Sequence, residues 1–141
     1  MPKQQGIYPT AKATITALLA KPVAAAADAA EGKLRDNLGQ TSGGQGVKYN
    51  NLPNTSSASG QDPIKQSGRL QGMVDSEKVT DTMHRVGMFP KNSDEAGQAR
   101  ALEYGYAPGG LAERAYLQRW SEDPETHRLM LTAAQKAGEG R

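Results

Sequence analysis

Hydrophobic and polar positions divide the chain into three regimes. From Thr10 to Leu38, residues Ile15, Leu18, Leu19, Val23, Ala26, Ala27, Ala30, Leu34 and Leu38 recur at spacings of three and four. That period predicts a helix (10–38) with one apolar stripe. The alanine run Ala24–Ala27 adds intrinsic propensity. Pro22 has no N–H to donate and crowds the turn before it, so the helix either kinks there or restarts with Pro22 in its first turn. Gly39 supplies a natural stop.

Over 39–66 the period dissolves into Gly, Ser, Asn, Gln and Pro, as in Thr41-Ser42-Gly43-Gly44-Gln45-Gly46 and Asn54-Thr55-Ser56-Ser57-Ala58-Ser59-Gly60. A stretch of this length and composition predicts either a flexible loop or an arm that lies on a neighbouring subunit and orders there. Val47, Tyr49 and Leu52 are the few apolar anchors such an arm would insert.

The third regime, 67–120, reads as the sheet core. Leu70–Val79 and Met83–Phe89 carry strand formers around the turn Thr80-Asp81-Thr82, with Gly72 and Gly87 interrupting the alternation. Pro90–Asp94 breaks the second strand. Glu95–Tyr104 is a short helix capped by Ser93 or Asp94, with Ala96, Ala99 and Leu102 as its buried stripe. Tyr106–Gly110 is a turn, and Leu111–Tyr116 a last short strand. Ser121 caps a final helix (121–137) with Asp123 and Glu125 near its positive end and Leu129, Met130, Ala133 and Ala134 on its apolar face. Helices and strands without βαβ alternation imply an α+β fold in a single domain, 1–141.

Composition makes that core thin. Apolar residues are 36% and aromatics 5% against 16 glycines, so part of the chain is expected to order only when a partner adds apolar surface. That favours a subunit of an assembly over a self-sufficient enzyme. A net charge of +2, with no run of like charges, gives nucleic-acid binding little support. The absence of cysteine excludes disulfides and thiolate metal sites. The N-terminus lacks the order of a signal peptide, and no apolar run approaches the ~20 residues of a membrane span. The expectation is a soluble protein made in the cytoplasm, with no membrane.

Candidate chemistry is sparse. His84 and His127, the only histidines, stand in no metal-ligand spacing. Ser67 has no nucleophile elbow around it, and Glu103 has no evident partner for acid–base work. Gly43-Gly44-Gln45-Gly46 lacks the lysine–serine ending of a phosphate loop. No catalytic residue, cofactor or metal is assigned. Arg114, Arg119 and Arg128 lie near Tyr116 and Trp120, a composition shared by interface hot spots and single-strand nucleic-acid platforms. A small nucleic-acid-binding protein using this Arg/Trp patch is the alternative reading.

Four fragments recur in a telling order: Gln66-Ser67-Gly68-Arg69-Leu70, His84-Arg85-Val86-Gly87-Met88, Ala101-Leu102-Glu103-Tyr104-Gly105 and Arg114-Ala115-Tyr116-Leu117. Together they resemble the tail-completion (neck, tail-terminator-like) family of tailed bacteriophages. Ser67-Gly68-Arg69-Leu70 is similar to that family's motif opening a β-hairpin. Glu103-Tyr104-Gly105 is similar to its acidic–aromatic–glycine motif, and Arg114-Ala115-Tyr116-Leu117 to its arginine–proline–aromatic–leucine segment. Ala115 replaces the usual proline, and Arg119 stands where a second proline is common.

The resemblance implies a long N-terminal helix packed on a small twisted antiparallel sheet, and no enzymatic activity or cofactor. It implies a structural virion protein forming a ring, often a hexamer, at the head–tail interface. The ring would join head-closure and adaptor proteins on the portal side to the tail-tube protein. Genome DNA would pass through its lumen, with Lys48 or Lys65 facing it. Val47, Tyr49, Leu52, Arg69, Glu103 and Arg114 are the expected subunit-interface residues, the last three as polar anchors.

Overall fold

The structure, a computed structural model, describes residues 2–139, with side chains described over 18–139. Helix α1 (Pro2–Asn37) is followed by the long 39–66 loop and a 3-10 turn at Gln71–Met73. Strands β1 (Val74–Thr80) and β2 (Met83–Met88) form the hairpin. Helix α2 (Ser93–Tyr104), a second 3-10 turn at Ala107–Gly109, and helices α3 (Tyr116–Glu122) and α4 (Pro124–Glu139) complete the chain. The α+β expectation holds: the long helix packs on a two-stranded antiparallel sheet and on the C-terminal helix.

α1 begins at Pro2 rather than Thr10 and carries on through Pro22 without a restart. Pro22 leaves the carbonyl of Leu18 without its helical donor. Leu18 is 48% exposed, so water can take that carbonyl. The stripe is buried only in its C-terminal part, at Ala27, Ala30, Leu34 and Leu38, while Leu19 stays exposed like Leu18. The side chain of Ile15 lies outside the described ones.

Leu34, Leu38, Val74, Tyr116 and Trp120 form the centre of the core around Ala30, with Leu70, Val86, Met88, Leu102, Leu117 and Met130 packed against it. The thin core expected from composition is what forms. α4 runs back along α1. Trp120, just before it, donates from Nε1 to the Ala30 carbonyl at 2.9 Å, and Gly138 near its end lies beside the Pro22 ring. Among the described residues no helix is long and apolar enough to cross a membrane.

Local chemistry moves several boundaries. Asn92 caps α2, its side chain accepting from the Glu95 N–H, in place of the expected Ser93 or Asp94. Ser121 lies inside α3, and Asp123 takes over at the start of α4, accepting from the Glu125 N–H at 2.9 Å. Gln71–Met73 winds into a 3-10 turn with Leu70 at its N-cap, so β1 starts at Val74. Leu111–Tyr116 is not a strand. Leu111 makes one bridge to Tyr106, then Arg114 and Ala115 donate to the carbonyls of Leu102 and Glu103 at the end of α2. The sheet therefore keeps two strands.

One buried side-chain polar atom is left unpartnered among the described residues. Thr126, in the first turn of α4, is 1% exposed and its Oγ1 has no hydrogen-bond partner. Thr126→Val replaces that hydroxyl by a methyl of the same shape. We expect it to raise unfolding stability by about 1 kcal/mol, the lower end of the cost of an orphaned buried polar group. Urea denaturation checks this, and a lowered midpoint would mean that a bound water satisfies the hydroxyl.

Candidate assembly interface

The end of α2 and the start of α3 complete each other. A helix end leaves backbone carbonyls without donors, and a helix start leaves N–H groups without acceptors. Here the Arg114 N–H donates to the Leu102 carbonyl at 2.7 Å and the Ala115 N–H to the Glu103 carbonyl at 3.1 Å. In return the Glu103 carboxylate accepts from the N–H groups of Leu117 at 2.7 Å and Gln118 at 3.0 Å. Glu103 is 6% exposed and thus caps α3 from a different helix. The negative charge sits at the positive end of that helix.

Gly105 makes the junction possible. Its φ is +82°, and a Cβ there would meet the Leu111 carbonyl oxygen at 3.0 Å and the Glu113 nitrogen at 3.1 Å. Tyr116, the first residue of α3, donates its hydroxyl to the Ala99 carbonyl at 3.0 Å. Burial, reinforced by the Glu103 carboxylate and then by Tyr104, pushes the Tyr116 phenol well above its ordinary pKa and keeps it a donor.

The 39–66 loop carries turns but no regular element. It lies over its own subunit and does not reach away as an arm. Its polar residues are the bonding groups: the Asn54 N–H donates to Gln66 Oε1, Gln66 Nε2 donates to the Asn54 carbonyl, and the Lys65 N–H closes on the Gln40 carbonyl. Gly46 and Ser56 pair their backbones at 2.8 Å. A Cβ at Gly44 would fall 2.3 Å from the Thr55 oxygen, and one at Gly46 would fall 2.4 Å from that of Ser57. The glycine run thus serves close backbone packing.

Arg114 fastens the loop. Its Nε donates to Ser57 Oγ at 2.8 Å, one terminal nitrogen to the Ser57 carbonyl at 2.9 Å, and the other to the Ala112 carbonyl. The guanidinium is buried, and all three acceptors are neutral. Arg114→Met keeps the stem and removes every donor. We expect it to raise protease cleavage within 43–60 by roughly an order of magnitude, the effect of removing charged-group hydrogen bonds worth about 1.5–3 kcal/mol. Limited proteolysis with mass spectrometry reads this, and an unchanged cleavage pattern would show that the loop is held elsewhere.

Between loop and body lies a cleft of ≈ 210 Å³, walled by Leu38, Leu52, Ile64, Leu70, Leu102 and Leu111 with Tyr49 at its mouth. Arg69 and Arg114 border it, as does Lys65. No family model, curated protein or solved structure matches the chain.

Of the six expected interface residues, the structure brings Tyr49, Leu52, Arg69 and Arg114 to this one cleft. Tyr49 is 49% exposed and Val47 is exposed nearby on the loop. Arg69 reaches Glu95 at 3.5 Å and remains partly exposed. Two of the polar anchors are corrected. Glu103 and Arg114 face inward and hold helix α3 and the loop, because a buried carboxylate and guanidinium must be satisfied within their own subunit.

The Arg/Trp patch of the alternative reading is likewise engaged. Arg119 pairs with Asp62 at 2.7 Å, Arg128 with Glu125 at 2.6 Å, and Trp120 is buried. Among the described residues, no group of three or more His, Asp or Glu is placed to hold a metal ion.

The sequence reading missed Ile64 and Leu111 as cleft walls. Nothing in their local pattern separates a residue lining a cleft from one filling a core.

Proposed function

We propose that this chain is a structural subunit of a tailed-phage virion, a tail-completion or neck protein whose ring joins the head to the tail tube. One observation carries the reading. Three of the four fragments that resemble the family are mutual partners in space: Glu103 caps the helix that Tyr116 opens, Arg114 and Ala115 bond the end of α2, and Leu70 and Leu102 wall one cleft with Arg114.

One departure is explained by the same geometry. Ala115 has φ +48° and uses its N–H, and proline would satisfy neither condition, so this chain enters α3 by a different backbone route from the proline-bearing motif. The thin core, the apolar cleft and the exposed Val47, Tyr49, Val79 and Met83 suit a protein completed by neighbours. A ring requires head-to-tail interfaces that close on themselves.

Two measurements test the function. Light scattering and negative-stain imaging of the purified chain, with and without the tail-tube protein, are expected to reveal closed rings. Particles produced without this chain are expected to accumulate as unjoined heads and tails. Normal infectious particles in its absence would overturn the reading.

A further inference from the structure

The hairpin leaves a strand edge open. In an antiparallel ladder, paired residues alternate between exchanging both backbone hydrogen bonds and exchanging none. The Phe89 N–H donates to the Met73 carbonyl at 2.8 Å, so the neighbouring pair Val74–Met88 is one that exchanges none. By alternation Ser76–Val86 and Lys78–His84 are of the same kind. The N–H and C=O groups of these residues therefore point away from the partner strand.

On β1 much of that edge is occupied. The Val74 carbonyl accepts from Arg35 at 3.0 Å, and the Val74 N–H donates to the Gln71 carbonyl. The Ser76 N–H donates to the Asp75 carboxylate at 2.8 Å. The Ser76 carbonyl and both groups of Lys78 are left. On β2 none of the outward groups of His84 and Val86 has a hydrogen-bond partner among the described residues. A trough of ≈ 450 Å³ lies between β2 and α3, lined by Val86, Gly87, Tyr104, Leu117, Gln118 and Ser121. An open edge of this kind is a template for another strand.

We propose that the β2 edge receives β1 of a second copy of this chain, so that the sheet continues from subunit to subunit. The inference rests on the ring reading and specifies its interface. Rotation about an axis near the strand direction keeps the partner's β1 parallel to β1, and so antiparallel to β2. Repeating the hairpin's own register sets His84 against the partner's Lys78 and Val86 against the partner's Ser76. The free backbone groups then meet, once the partner's Asp75 releases its neighbour's N–H. Side chains favour the same register. Glu77 and Arg85 are exposed and stand opposite each other in the hairpin. Continuing the sheet flanks each Arg85 with two Glu77 carboxylates, one from each copy. Pairing β2 with β2, or β1 with β1, brings like charges together instead, which is destabilising.

His84→Pro tests the edge directly, because it removes an outward N–H and no bond of the hairpin ladder. It is expected to weaken self-association by roughly tenfold or more, the loss of about one hydrogen bond per contact. Light scattering with and without the tail-tube protein reads this, and circular dichroism checks the fold. His84→Thr keeps the N–H and is expected to assemble as the unmodified chain does. Arg85→Glu is a second route: it is expected to weaken assembly, and adding Glu77→Arg is expected to restore it. Hydrogen exchange at the His84 and Val86 amides is expected to slow on assembly. Rings whose His84 and Val86 amides stay fast, with Arg85→Glu assembling normally, overturn the proposal and leave the ring reading standing. Amides that slow only on the tail-tube protein, without self-association, assign the edge to that protein and overturn the second copy as its occupant. A chain that stays monomeric under every condition, with both amides fast, overturns both.

Discussion

Glu103→Ala is expected to lower unfolding stability by about 3 kcal/mol. The carboxylate accepts from two N–H groups at the start of α3, at 2.7 and 3.0 Å, and it is buried. Removing it orphans two donors where water enters poorly, and each lost cap or orphaned group costs about 1–2 kcal/mol. Tyr116 and Trp120 leave the same short helix to enter the core, so its first turn cannot fray without loosening both. Glu103→Gln retains one acceptor oxygen and is expected to fall between the two. Guanidinium denaturation measures the series. If Glu103→Ala kept the wild-type midpoint and still blocked head–tail joining, Glu103 would be an interface anchor after all.

Trp120→Ala is expected to have the larger effect, about 4 kcal/mol, within the range for truncating a buried aromatic side chain. Trp120 joins three elements: it lies in α3, packs with Leu34 and Val74, and donates to the Ala30 carbonyl of α1 at 2.9 Å. Small domains hold only about 5–15 kcal/mol in total, and this core is thin. The variant is therefore expected to melt at least roughly 10 °C lower. Trp120→Phe keeps an aromatic ring and loses the hydrogen bond, and is expected to cost about half as much. Thermal melts followed by far-ultraviolet circular dichroism separate the two. A Trp120→Ala protein that keeps its melting temperature and loses salt-dependent DNA affinity would favour the nucleic-acid reading instead.

Both predictions turn on residues whose type was conspicuous in the sequence and whose role was not. Glu103 and Arg114 were singled out as polar anchors because they stand in fragments that resemble the tail-completion motifs. Their partners are backbone groups at Leu117, Gln118, Ser57 and Ala112, with the Ser57 hydroxyl as the one side chain, and no local pattern encodes those contacts. The same blindness explains the misplaced last strand. Leu111–Tyr116 has strand composition, yet its backbone donors at Arg114 and Ala115 are drawn to the open end of α2 before a third strand can form.

The loop tells a complementary story. Its Gly, Ser, Asn and Gln content announced the absence of a helix or strand, and that much holds. The same residues bond the loop to itself and to Arg114, so low hydrophobicity marked irregular structure without marking detachment.

What the sequence determined by itself was periodicity and punctuation. Spacings of three and four identified α1, α2 and α4, and polar turn residues located the hairpin, because these depend on neighbours within a few positions. It also set the size of the core, since composition limits how much apolar surface can be buried. The tertiary structure alone decided which apolar residues line a cleft and which fill the core. It also decided which charges face inward, and that Val79 and Met83 at the hairpin tip stay exposed. Those outcomes depend on distant segments meeting: Ser57 with Arg114, Glu103 with Leu117, Ala30 with Trp120. Such pairings are selected by the shape and hydrogen-bond needs of the whole chain, which no local window contains.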